Sequence, residues 1–163
     1  MMPDYKETVL KYKDMVYRIA FAQCSCRQDA EDVFQDVFFK LYNLDSDFAD
    51  EEHLKAWLIR VTVNCCKLLR RSIWFRKRTE FTEDIPADGT ENTEERETAE
   101  SVIAAVRALP EKYRPIVVMY YYEEMSGGEI AAALKLNEAT VRTRLKRARE
   151  RLKKDLKGVF DDE

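Results

Sequence analysis

The stretch "MSGGEIAAALKLNEATVRTRLKRARERLKK", Met125 to Lys154, decides the fold of the C-terminal half. Ser126 and Glu129 have the S-x-x-E spacing of a capping box, in which hydroxyl and carboxylate each satisfy one orphan backbone N–H, so a helix is predicted from Gly127. Ile130, Ala131 and Leu134 share its inner side. Leu136 and Asn137 then make a turn, and Asn137 is a suitable N-cap for the next helix. In that helix Val141, Leu145, Ala148 and Leu152 form a stripe to be buried. At about 100° per residue, Ala139, Thr143, Lys146 and Arg147 point the other way, flanked by Arg142 and Arg144. A short helix, a turn and a helix with a small, polar and basic outer face make a helix-turn-helix pattern. A basic helix by itself would equally suit the solvated edge of a bundle. Cap, turn and stripe together favour DNA, with Arg and Lys attracting phosphates and Arg or Thr able to read base edges.

Upstream, Ala99, Val102, Ile103 and Val106 keep the helical period as far as "LPEKYRP", Leu109 to Pro115. Pro110 suits the first turn of a new helix. Pro115 would remove a hydrogen bond inside one, which predicts a kink or a late helix start. "IVVMYYYEEM" then continues as a buried helix. In the N-terminal half, Ala30, Val33, Phe34, Val37, Phe38 and Leu41 make one apolar stripe. Leu54, Trp57, Leu58, Val61, Cys65, Leu68 and Leu69 make another, and Val9, Val16, Ile19 and Ala20 mark an earlier helix. "NLDSDFADEE", Asn43 to Glu52, reads as the loop before the last helix of this bundle. The fold class expected is all-α, with two small helical domains.

The formal net charge of −3 hides four blocks of alternating sign. Arg27 to Glu52 holds nine acids against two bases, and Leu54 to Arg78 holds eight bases and no acid. Thr79 to Ser101 holds nine acids against one base, and Lys135 to Lys157 ten bases against three acids. The third block, "TEFTEDIPADGTENTEERET", has little to bury and reads as an acidic flexible linker. The expected division is a first domain at 1–79, the linker at 80–94 and a second domain at 95–163.

At 163 residues the chain has room for one domain or two small ones, and 45% hydrophobic content allows a packed core. Its charged N-terminus is unlike a signal peptide, and no stretch approaches the roughly 20 apolar residues that span a bilayer, so a cytoplasmic protein with no membrane insertion is expected. Cys24, Cys26, Cys65 and Cys66 form C-x-C and C-C pairs rather than C-x2-C, and His53 is the one histidine. They read as thiols kept reduced, with no metal site expected. The sequence has no Gly-rich phosphate loop, no H-E-x-x-H and no Cys-His-Asp set, so no enzyme, no cofactor and no small-molecule substrate are expected.

With both halves in hand, the sequence resembles a bacterial sigma factor of the extracytoplasmic-function branch of the sigma-70 family, over nearly its whole length. "DAEDVFQDVFFKLY" resembles region 2.2, and "LKAWLIRVTVNCCKLLRR" the promoter-opening helix of regions 2.3 and 2.4. "LPEKYRPIVVMYYYEEMSGGEIAAALKLNEATVRTRLKRARERLKK" resembles region 4. Their joint order, with an acidic tether between, is more specific than any one of them. The resemblance implies a protein that binds core RNA polymerase, recognises promoter DNA, opens it and so starts transcription, without covalent chemistry of its own. It also implies an anti-sigma factor as a partner.

By motif position the resemblance places polymerase contacts at Asp32, Gln35 and Asp36. It places minus-ten recognition at Phe48 and Asn64, which would help hold a flipped non-template base, with Arg60, Lys67, Arg70 and Arg71 as phosphate contacts. The minus-thirty-five readers would be Arg142, Thr143, Lys146 and Arg147. Read without the family, Asp32, Gln35 and Asp36 suit a solvated helix face, Phe48 a loop anchor and Asn64 a polar face residue; Trp57 is assigned to the core. One departure is Lys135, where the family turn often carries glycine, so this turn must accept a less comfortable backbone. A dimeric helix-turn-helix regulator is the main competing reading, but there is no obvious dimer seam, and a sensor domain would not need the basic helix of the first half.

Overall fold

The computed structural model describes residues 1–24, 26–74 and 93–156; apart from its last two residues, the expected linker at 80–94 lies outside them. The described residues form seven α-helices and no strand: α1 (Tyr5–Gln23), α2 (Arg27–Asn43), α3 (Glu51–Trp74), α4 (Thr93–Ala108), α5 (Arg114–Tyr121), α6 (Gly127–Leu134) and α7 (Glu138–Asp155). The all-α expectation holds.

The first three helices make a bundle. Asp4 caps α1 by accepting the Glu7 N–H at 3.0 Å. Val16, Ile19, Val37, Leu54 and Leu58 fill the space between the helices and are fully or almost fully buried. Each such side chain contributes roughly 1.5–3 kcal/mol relative to an exposed one. All of the α2 stripe is buried except Phe34, which is half-buried against it. On α3 the inward set is wider than the single stripe. Ile59, Thr62, Val63 and Cys66 are buried as well, while Leu68 is 61% exposed, contrary to expectation. The reason is that α3 is packed by α1 and α2 on one side and by α6 on another, so its buried arc widens over the middle and ends before Leu68. Thr62 enters this arc without cost because its hydroxyl donates to the Leu58 carbonyl at 2.6 Å.

In the second half, Leu109, Ile116, Met119, Ile130 and Val141 form the core. Pro110 does not open a helix; it begins a turn closed by the Tyr113 N–H bonding the Pro110 carbonyl at 2.9 Å. The helix starts late, at Arg114, with Pro115 in its first turn, where a missing N–H breaks no intrahelical bond. Both halves of the predicted capping box are made: Ser126 Oγ accepts the Glu129 N–H at 3.1 Å, and Glu129 accepts the Ser126 N–H at 3.0 Å. Asn137 Oδ1 accepts the Ala139 N–H at 2.9 Å and starts α7. Between them Lys135 takes a left-handed conformation, φ 56° and ψ 45°. Its N–H reaches the Ala132 carbonyl and that of Leu136 the Ala131 carbonyl, which is the Schellman ending usually built on glycine.

Candidate nucleic-acid interface

On α7, Val141, Leu145 and Ala148 face the core, which sends Arg142, Thr143, Lys146 and Arg147 outward, all exposed. Thr143, exposed, donates its hydroxyl to the Ala139 carbonyl at 3.0 Å. The end of the helix is braced by Arg149, which donates to the Tyr121 hydroxyl at 2.9 Å and lies over the Tyr120 ring at 4.8 Å. All four expected minus-thirty-five residues therefore share one open face.

The α3 residues have a different setting. Asn64, Lys67 and Arg71 are exposed, but their face looks across a cleft of about 1040 Å³ at the turn of the helix-turn-helix, Leu134 to Leu136, and at Lys112 and Arg144. Arg60 donates to the Ala133 carbonyl at 3.3 Å, directly across the junction. Arg70 donates to the carbonyl of Gln23 at 2.6 Å and its side-chain oxygen at 3.2 Å, and pairs with Glu111. Thus two of the four expected phosphate contacts, Arg60 and Arg70, are committed to holding the domains together. Phe48 is turned inward: 3% exposed, it packs edge-on against His53 and Trp57 at 5.2 and 5.8 Å. In a mostly acidic and polar loop this ring is the buried side chain, with Leu44 half-buried against the core before it. The chain start completes the anchor, since the Met1 ammonium donates to the Phe48 carbonyl at 2.7 Å and the Phe48 N–H to the Met1 carbonyl at 2.9 Å. Phe48 is a loop anchor here, not a ring offered to a base.

Sequence reasoning missed the junction itself. The last turn of α1 leaves carbonyls unpaired within the helix, and arginines gather on them. Arg107 donates to the Phe21 carbonyl through Nε and Nη2, at 3.2 and 3.0 Å, and covers the Phe21 ring at 4.2 Å. Arg114 adds a 3.4 Å contact to the Gln23 carbonyl, and Arg18 pairs with Glu123 at 3.0 Å. Burial pushes the guanidinium pKa of Arg70 and of Arg114 down, and for Arg114 the charges of Arg70 and Arg107 add to the effect. No helical period announces such pairs, because each joins one residue of each domain.

On α2, Asp32, Gln35 and Asp36 are exposed on one face as expected. Asp36 also accepts from the Cys65 thiol at 3.3 Å and pairs with Lys40 at 3.7 Å. Beside them stand two residues the apolar stripe had not flagged, Phe39 and Tyr42, 66% and 69% exposed. The signal was in their spacing: Phe39 and Tyr42 lie i, i+3 on one side of α2, off the stripe of Ala30, Val33, Val37, Phe38 and Leu41. A shallow groove lined by Asp36, Phe39, Lys40 and Trp57 joins the acidic and aromatic parts.

Fold and surface together define a two-module helical protein whose second module is a helix-turn-helix with an open basic face. The chain matches Sigma-70 region 2 over residues 8–76 and Sigma-70 region 4 over residues 99–152. It is 29% identical over 91% of its length to the ECF RNA polymerase sigma factor SigW of Bacillus subtilis, covering 86% of that protein. It is 30% identical over 95% of its length to the RNA polymerase sigma-E factor of Streptomyces avermitilis, again covering 86% of the relative. Among solved structures, the sigma factor RpoE of Bartonella quintana, in complex with the anti-sigma factor NepR, superposes with a TM-score of 0.78. That match has 24% identity and covers 94% of this chain and 97% of RpoE. CnrH, in complex with the cytosolic domain of CnrY, gives 0.66 at 26% identity, covering 94% of this chain and 88% of CnrH. The chain belongs to the extracytoplasmic-function branch of the sigma-70 family of RNA polymerase sigma factors. Among the described residues no helix is long and apolar enough to cross a membrane.

Proposed function

We propose that this protein binds core RNA polymerase and directs it to promoters, where it takes part in recognition, DNA opening and initiation, and that it is not itself an enzyme. The observation that carries this is the ordered presence of both sigma modules in one chain, each with a basic helix face, on α3 and α7. The exposed face of α2, Asp32, Gln35 and Asp36 with Phe39 and Tyr42, is assigned to polymerase. An aromatic pair beside carboxylates has the mixed character of a protein-binding patch rather than of a DNA surface. The open face of α7 (Arg142, Thr143, Lys146, Arg147) is assigned to the minus-thirty-five element. The α3 face is assigned to the minus-ten element, with Asn64 pairing a base edge, Lys67 and Arg71 on phosphates, and Phe48 holding the loop in place.

In this arrangement Arg60 and Arg70 serve the junction, and the second domain stands over the α3 face, so promoter opening requires the two domains to part. Polymerase would supply that energy by binding both at a fixed spacing. The protein is assigned to the cytoplasm, where the polymerase is. An anti-sigma factor, the kind of partner RpoE carries in its complex, is the expected inhibitor. The test is transcription with purified components. Core polymerase plus this chain should start transcripts from a promoter that core ignores. Asp32→Ala with Gln35→Ala should lower core binding while melting stays within about 0.5 kcal/mol of wild type. Failure of the chain to change the promoter choice of core polymerase overturns the assignment.

A further inference from the structure

The four cysteines are buried thiols, and two of them touch: Cys24 Sγ and Cys66 Sγ lie 3.9 Å apart, one at the end of α1 and the other on α3. The remaining two are occupied otherwise. Cys26 Sγ accepts the Asp29 N–H at 3.5 Å and caps α2, while Cys65 donates to Asp36. Burial and that carboxylate push the Cys65 thiol up to about 12, which makes it a poor nucleophile. Three or more His, Cys, Asp or Glu side chains placed to hold a metal ion do not occur among the described residues, so the close pair stands as two thiols.

Its surroundings are those of a reactive thiol. Cys24 follows Gln23, whose carbonyl collects Arg70 and Arg114, and Arg107 binds the Phe21 carbonyl. Three guanidiniums thus gather on carbonyls one and three residues before Cys24, and cations near a cysteine favour its thiolate. The Cys66 hydrogen bond holds the Cys24 pKa below its ordinary value, against burial and the Asp29 charge and with smaller help from Arg70 and Arg107, while the same contact pushes Cys66 up. The two thiols share one S–H···S contact, and of the two Cys24 is the readier to lose its proton. Gln23 and Arg70 also line the interdomain cleft, which brings solvent to within a residue of it.

We propose that Cys24 and Cys66 are a thiol modification site that closes to a disulfide on exposure to a peroxide. The Cys24 sulfur attacks one oxygen of hydrogen peroxide, the O–O bond breaks, and the departing hydroxide takes the Cys24 proton to leave as water. The sulfur of Cys66 then attacks the sulfenic acid so formed; the S–O bond breaks and a second water leaves with the Cys66 proton. Two thiols are oxidised by two electrons and one peroxide is reduced to two waters. Closing the bond draws the sulfurs from 3.9 Å to about 2.05 Å, one residue from the carbonyl that anchors Arg70 and Arg114. The site therefore sits on the junction between the domains.

The reduced full-length chain is exposed to hydrogen peroxide, alkylated, digested and mapped by mass spectrometry. The expected result is loss of two thiols and about 2 Da per chain, in one cross-linked peptide joining Cys24 to Cys66, reversed by dithiothreitol. Cys66→Ser should stop one step earlier, with a Cys24 sulfenic acid that dimedone traps. The wild-type map decides by itself, whether or not that variant folds. Four thiols still open to alkylation after unfolding, or a bond joining any other pair, overturns the proposal.

Discussion

The fold treats its two basic helices in opposite ways. The outer face of α7 is open along its length, with Arg142, Thr143, Lys146 and Arg147 all turned to solvent. The corresponding face of α3 looks into the cleft against the second domain, and Arg60 and Arg70 hold backbone or side-chain acceptors there. The difference follows from what each helix must bury. The α7 helix has one narrow apolar stripe and one packing side. Through its middle α3 carries a wide buried arc, with Leu58, Ile59, Thr62, Val63 and Cys66, and is flanked on more than one side. A helix so enclosed can show a reading face only if a neighbour leaves, whereas a helix on the outside shows it always. The lesson is that basic charge in sequence marks a nucleic-acid surface without saying whether that surface is covered.

Breaking the junction should erase the contrast, and this is the largest effect expected. Arg107→Ala with Arg114→Ala removes the bonds to the Phe21 and Gln23 carbonyls. Hydrogen bonds to charged groups contribute about 1.5–3 kcal/mol each, so the pair should weaken domain packing by about 3 kcal/mol. The free variant should bind a single-stranded minus-ten oligonucleotide at least about tenfold more tightly than wild type, while binding of duplex minus-thirty-five DNA through α7 stays the same. Equal oligonucleotide affinities in a fluorescence-anisotropy titration would show that the junction does not limit access to α3.

Within the holoenzyme, where polymerase sets the domain spacing, the two faces should behave alike. Asn64→Ala and Arg147→Ala should each change base preference at one position of their own element, by about 1–3 kcal/mol, and leave the other element's ranking intact. Lys153→Ala, near the end of α7, should weaken all sequences alike and reduce the salt dependence. Binding to single-base promoter variants at two salt concentrations separates these outcomes. A uniform loss for Arg147→Ala would make that arginine a phosphate clamp.

What was legible in the sequence follows the same division between local and long-range causes. The capping box at Ser126 and Glu129, the Asn137 cap and the Val141–Leu145–Ala148 stripe are set by neighbours within a few residues, and all are formed as read. Pro115 announced the late start of α5 for the same reason, through its own missing N–H. The outward turn of Leu68, the anchoring of Phe48 by Met1 and the arginines around the end of α1 depend on residues far away in the chain, and no period encodes them. Phe48 was expected at a base by motif position and Arg60 and Arg70 on phosphates, but in the closed arrangement the side chains of all three hold the structure together.

The turn between the modules of the helix-turn-helix offers two smaller tests of how firmly α7 is held. Ser126→Ala removes an N-cap and should cost about 1 kcal/mol in a denaturant melt. The cap also makes stability depend on pH. Its backbone bond to Ser126 keeps the Glu129 carboxyl below the usual range, so its contribution is present above the ordinary carboxylate pKa and fades as pH falls through the lowered one. The gap between wild type and Glu129→Ala should accordingly narrow in acid; a gap that is constant from neutral to strongly acidic pH would remove Glu129 from the cap.

The smallest effect expected is at Lys135, and it has the opposite sign. The left-handed backbone there crowds a β-carbon against the carbonyl, a strain of roughly 1–2 kcal/mol that glycine lacks, while glycine loses more freedom on folding. Lys135→Gly should therefore stabilise the chain by about 0.5–1 kcal/mol. It should do so without altering the Schellman bonds to Ala131 and Ala132, because those use only the backbone. Since Lys135 also lines the cleft opposite α3, the substitution removes one of the positive charges crowded there and should not loosen the junction. The outcome sharpens the comparison between the helices. If Lys135→Gly gains stability and α7 reads the minus-thirty-five element with unchanged ranking, the pose of the recognition helix is fixed by its caps and its buried stripe. If stability rises but the ranking shifts, the lysine is tilting α7, and the open face is then set in part by strain in the turn that precedes it.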